Sequence, residues 1–158
     1  MCETVSVELE TIYPVIKEKL SAGGSVTFSP KGISMLPLIR QGVDSVKISP
    51  VKGKLKKYDV PLYKRTNGQF VLHRVVAVRG NSYVMCGDNQ TFREYGINHS
   101  QIIGVMSEVI KPDSIVKVTD KKYITYSKKQ VFKQRIKYYI VKTKAIIKAV
   151  LIKLHLYK

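Results

Sequence analysis

The chain has 158 residues, with 28 Lys and Arg against 11 Asp and Glu, three His and two Cys. That length suits one domain with a core large enough to stand without staples. A 44% hydrophobic share with ten Tyr and four Phe argues against wholesale disorder. Cys2 and Cys86 are too few for a disulfide scaffold or a four-ligand zinc site, and no motif asks for a cofactor or metal. No uncharged apolar run reaches the roughly 18 residues of a membrane span. The opening Met1–Glu10 segment places acids early and lacks the basic-then-apolar layout of a secretory signal. A soluble cytosolic chain is the expectation.

The charge is unevenly spread. Residues 121–158 hold 12 Lys or Arg and no acid, whereas residues 1–120 hold the other 16 basic residues and all 11 acids. Such asymmetry points the tail at an anionic surface, lipid headgroups or nucleic acid.

In chain order, Val5, Leu9, Ile12, Ile16 and Leu20 form one helical stripe over residues 5–22, with Gly23-Gly24 as a stop. Pro14 falls inside it and should kink the helix or mark a second start. From Ser25 to about Lys111 the texture changes to short β-type runs. Candidates are Ser25–Ser29, Ser45–Ser49, Asp59–Lys64, Gln69–Arg79, Tyr83–Cys86 and Ile102–Ile110. Asn67-Gly68 predicts a hairpin turn, and Gly80-Asn81 a second one. The fold class is therefore α+β with a mostly antiparallel sheet. The expected units are an N-terminal helix packed on the body over residues 1–24, a domain over 25–120 and a basic helical tail over 121–158.

The tail becomes helical from about Ser127. Phe132, Ile136, Tyr139, Ile140, Ile147, Val150 and Leu154 share one side, with Lys133, Lys137, Lys144 and Lys148 beside them and Val141, Ile146 and Ile152 opposite, so the remaining faces are mixed. Lysines inside the apolar run disfavour a span. A helix lying in the membrane interface over residues 127–158, its lysines reaching to phosphates, fits better. A helix docked on the body with a solvated basic face is the rival.

Three short signals bear on chemistry. Ser34, in Gly32-Ile33-Ser34-Met35-Leu36-Pro37, stands where the chain changes direction, so its hydroxyl can be presented and its N–H can help hold an oxyanion. Alone, Ser, Gly and Pro together mean a loop. His73, in Phe70-Val71-Leu72-His73-Arg74-Val75-Val76, would share a strand face with Val71 and Val75. A lone strand His is commonly structural, but an imidazole titrating near pH 6.5 is the natural group to take a serine proton. Asp88, in Gly87-Asp88-Asn89, is either ordinary turn chemistry or a carboxylate that orients the imidazole.

Taken in order, Gly32–Pro37, Asp59-Val60-Pro61-Leu62-Tyr63, His73-Arg74-Val75-Val76 and Gly87-Asp88-Asn89 resemble the signal-peptidase-like serine peptidase family, which also contains the self-cleaving repressor domains. The resemblance runs from about Val26 to Val109 and ends in Ile102-Ile103-Gly104-Val105, similar to the strand that closes the family's barrel. It implies a bent, partly open barrel of the LexA/signal-peptidase type. His73, where most members carry Lys, is similar to the branch of endoplasmic-reticulum and sporulation-type signal peptidases. On that match Ser34 would be the nucleophile, His73 the general base and Asp88 its orienter. Asp44 is a weaker candidate for the acid, and His99 and His155 match no motif.

The implied activity is serine endopeptidase cleavage of a precursor or signal-like peptide through an acyl-enzyme. Family enzymes carry a membrane anchor before the Ser motif, whereas residues 1–22 here are charged and amphipathic. The basic tail would substitute as a peripheral anchor on the cytosolic face. The alternative is a catalytically idle relative that binds a membrane surface or nucleic acid. Nucleic acid is the weaker partner: the tail lacks a recognition pattern, and the 24 residues before the first strand are too few for a helix-turn-helix.

Overall fold

The computed structural model describes the chain from Leu9 to Lys153; Cys2, Val5, Leu154 and His155 lie outside those residues. A first helix, α1 (Leu9–Ser21), runs unbroken through Pro14, with no second start. It buries Ile16 and Leu20 in a core with Val46, Ile48, Leu62, Met106 and Val109, each side chain contributing about 2 kcal/mol. Gly23 takes a left-handed φ of 80°, and the Gly24 N–H donates to the Lys19 carbonyl at 2.9 Å. The predicted glycine stop is therefore a true cap.

A curled antiparallel half-barrel follows. Its strands are β1 (Val26–Phe28), β2 (Ser45–Ser49), β3 (Pro61–Lys64), β4 (Phe70–Leu72), β8 (Ile102–Lys111) and β9 (Ser114–Lys117). The order is β1-β2-β8-β3-β4, with β9 on β8, so β1, β4 and β9 each have a single neighbour. A smaller sheet stacks β5 (Arg74–Arg79), β6 (Ser82–Cys86) and β7 (Glu94–Asn98). Both predicted turns form. Gly68, at φ 89°, closes β3 onto β4, and Gly80-Asn81 joins β5 to β6 with Arg79 opposite Ser82.

Alternation predicts one strand over residues 69–79; instead it breaks at His73, where the chain leaves one sheet for the other. Val71 and Val75 still share a core, with Tyr63, Tyr83 and Met85, while Leu72 and Val76 enter two different ones. Strands β7 and β9 were not predicted.

The C-terminal helix, α2 (Lys121–Lys153), starts at Lys121 rather than near Ser127. The Asp120 carbonyl accepts from the Ile124 N–H at 3.0 Å, putting an acid at the helix entry. Tyr123, Ser127, Val131 and Gln134 are buried on the body, so the first half of the helix is docked. Phe132, Ile136, Tyr139, Ile140, Ile147 and Val150, the predicted stripe, stay exposed on the opposite side. Among the described residues no helix is long and apolar enough to cross a membrane.

Candidate active site

Ser34 sits in a tight run of turns between β1 and β2. Met35, Leu38 and Ile39 are buried and anchor that run, while Ile33 is exposed. Gly32, at φ 100°, gives its N–H to the Gln41 side chain at 2.6 Å. The Ser34 N–H donates to no group among the described residues and remains open to an oxyanion. The Ser34 carbonyl accepts from the Asn89 N–H at 2.8 Å, and the Asn89 side chain donates to the Ile33 carbonyl at 3.3 Å. A Cβ on Gly87 would stand 2.7 Å from the Ser34 oxygen and 3.0 Å from its Cβ, so only glycine permits this approach. The Gly87-Asp88-Asn89 turn thus does serve Ser34, through its backbone.

His73 is buried. Its Nδ1 lies 3.0 Å from Glu94 Oε1 on β7. Glu94 is held in turn: Arg65 donates to both its oxygens, at 2.5 and 2.7 Å, and the Tyr63 hydroxyl donates at 3.0 Å. Burial works against the Glu94 carboxylate, but these bonds win and keep its pKa below the usual carboxyl value. Burial pushes the His73 pKa down, and the Glu94 charge only partly restores it. Near neutral pH the imidazole is therefore neutral, with Nδ1–H donated to Glu94 and Nε2 unprotonated.

Asp88 does not touch His73. Its two oxygens take Arg74 Nε and Nη2, both at 2.7 Å, in a fully buried bidentate pair. The reason is strand register: Arg74 lies opposite Cys86 in the β5–β6 ladder, which brings the turn after Cys86 to Arg74 rather than to its neighbour. Tyr126 also donates to Asp88 at 3.0 Å, and the spare Arg74 Nη1 reaches Ser127 Oγ at 2.8 Å. Gln130 and Gln134 of α2 donate to the carbonyls of Asp88 and Gly87. The predicted orienting contact is replaced by Glu94, and Asp88 pins α2 to the Ser34-supporting turn.

The remaining candidates are structural. Asp44 binds Arg40 at 2.8 Å and Lys111 at 3.4 Å, and the Arg40 bonds lower its pKa to about 2. His99 meets the Tyr83 hydroxyl at 3.1 Å. Cys86 is buried, which pushes its thiol up to about 11 and leaves it inert.

Ser34 and His73 line one cleft of about 810 Å³. No hydrogen bond joins Ser34 Oγ to His73 among the described residues. Phe28, Met35, Ile39, Leu62, Phe70 and Leu72 give the cleft an apolar side, Asn67, Gln69 and Gln90 add polar surface in similar measure, and Lys31 and Arg65 bring positive charge. The walls include residues of β1 and β4, both edge strands of the larger sheet. Glu94 escapes sequence inspection because Gly96 and Asn98 weaken the strand signal of Glu94-Tyr95-Gly96-Ile97-Asn98 and no motif marks the acid. No family model, curated protein or solved structure matches this chain.

Proposed function

We propose that this protein is a serine endopeptidase of the signal-peptidase-like type, with a LexA-like body, cleaving a precursor or signal-like peptide. The observation that carries the reading is a buried, carboxylate-backed imidazole sharing a cleft with a serine whose backbone is held from behind. Two free strand edges bordering a cleft with an apolar side suit an extended peptide, which can pair with edge backbone and seat apolar side chains against Phe28, Leu62 and Phe70.

In the mechanism, His73 Nε2 takes the Ser34 proton as Oγ attacks the scissile carbonyl carbon. The Ser34 N–H donates to the oxyanion. Glu94 stabilises the imidazolium, which then protonates the leaving amine and leaves an ester on Ser34. Water repeats the sequence through the same base, releasing the acid and restoring the hydroxyl. Peptide binding must draw Ser34 and His73 together, as in other resting sites with loose catalytic hydrogen bonds.

The test is digestion of a proteome-derived peptide library, with new N-termini counted by mass spectrometry. Cleavage should vanish in Ser34→Ala and in His73→Ala, and the double variant should be scarcely worse, because members of one catalytic unit are non-additive. Cleavage that survives His73→Ala but not Lys31→Ala would point to a Ser-Lys pair. A wild-type chain no more active than Ser34→Ala would leave a binding cleft and end the peptidase reading.

A further inference from the structure

The feature that the site does not use is the outward side of α2. Over Phe132–Ile152 this helix is about 30 Å long. Its docked side, through Tyr123, Ser127, Val131 and Gln134, faces the body. The exposed stripe of Phe132, Ile136, Tyr139, Ile140, Ile147 and Val150 lies about 170° round from it at 3.6 residues per turn. Arg135 and Lys142 flank the stripe on one side, and Lys137, Lys144 and Lys148 on the other. From Lys121 onward the sequence contains no Asp or Glu.

We propose that this stripe is the seat of an anionic lipid surface, with α2 lying in the interface and its two cationic flanks on headgroup phosphates. Charge complementarity and exposed apolar surface are both satisfied only by that occupant. A second copy of the chain would set cations against cations, with no acid in α2 to compensate. Nucleic acid would engage the lysines but leave Ile136, Ile140, Ile147 and Val150 in water. A lipid interface takes the apolar stripe among its acyl chains while lysines snorkel to phosphates. Because the docked half is continuous with the exposed half, the body hangs from the membrane in one fixed orientation. This inference does not rest on the peptidase chemistry.

The test uses the full chain with vesicles of phosphatidylcholine plus phosphatidylglycerol, and with pure phosphatidylcholine. The chain has no Trp, so Tyr139→Trp on the stripe and Val141→Trp on the opposite side of the helix, itself exposed, each give a single reporter. Brominated lipid should quench Trp at 139 far more than at 141. Lys137→Gln, Lys142→Gln and Lys144→Gln together should weaken anionic-vesicle binding about a hundredfold, roughly fivefold for each lysine. Added salt should weaken it too. The exposed Ile136→Glu, Ile140→Glu and Ile147→Glu triple should weaken it at least as much, with helix content unchanged by circular dichroism. Equal quenching at both positions, equal binding to pure phosphatidylcholine, or tighter binding to duplex DNA than to anionic vesicles would overturn the proposal. So would a lipid-free dimer that buries Trp at 139.

Discussion

Burial makes the charged imidazole costly, so His73 titrates below its ordinary 6.5 even with Glu94 beside it. As the proposed general base, His73 is unprotonated above that lowered value. Hydrolysis should therefore rise with pH, reach half-maximum below 6.5 and stay flat through neutrality, as measured by kcat/KM against pH. Glu94→Gln removes the charge that raises the His73 pKa, so the midpoint should move further down. The plateau should fall about a thousandfold, because the imidazolium loses its countercharge and the ring its fixed tautomer. Asp88→Asn should behave differently. It strands the buried Arg74, costing about 3–5 kcal/mol of stability, while moving the pH midpoint far less. A variant pair with these effects exchanged would return the orienting role to Asp88.

Among the elements, the hairpins were the most legible, since Asn67-Gly68 and Gly80-Asn81 carry the chemistry of tight turns wherever they occur. The stripe of α1 was equally plain, because Ile16 and Leu20 recur at helical spacing and end at a glycine cap. What stayed hidden depends on contacts between segments distant in sequence. Alternation runs straight through His73 because Val71 and Val75 are buried on either side of the break, yet the two strands belong to different sheets. Strand β7 buries Ile97 but leaves Tyr95 exposed and carries Gly96 at a left-handed φ of 74°, so its pairing to β6 gives it a place that its composition does not. Ser34 and the Gly87–Asn89 turn were each visible as motifs, but their bond is backbone to backbone and leaves no trace in residue type. Gly87 is the test of that bond. In Gly87→Ala the new methyl meets the Ser34 carbonyl and Cβ, neither of which can swing aside like a long side chain. Activity should fall at least about a hundredfold through the misplaced nucleophile, since a shift near 1 Å is enough to do so. Full activity in Gly87→Ala would separate the turn from the site.

At the scale of the whole molecule, α2 clamps what the two sheets leave open. It reaches Arg74 of β5 through Ser127 and Tyr123, and the turn after β6 through Tyr126, Gln130 and Gln134. It reaches β7 through Tyr138, whose hydroxyl accepts from that of Tyr95 at 3.4 Å and whose ring lies 4.0 Å under the guanidinium of Arg93, just before the strand. The same helix thus backs the segment that holds Ser34 and the strand that carries Glu94, before running on past the body. That division predicts opposite outcomes for two truncations. Removing residues 139–158 takes away mostly exposed surface, so urea unfolding should shift by no more than about 1 kcal/mol and peptide cleavage should persist, while vesicle binding is lost. Removing residues 121–158 uncovers the buried Arg74–Asp88 pair and deprives it of the Tyr126 hydroxyl, Ser127 and the cover of Tyr123. Stability should fall by about 3–5 kcal/mol and cleavage should disappear with it. The contrast rests on where Arg74 finds its partners: one truncation spares them all, and the other strips every one that α2 supplies. If the longer deletion folds and cleaves as well as the shorter, α2 is an appendage, and the strand-to-turn contacts alone hold the site.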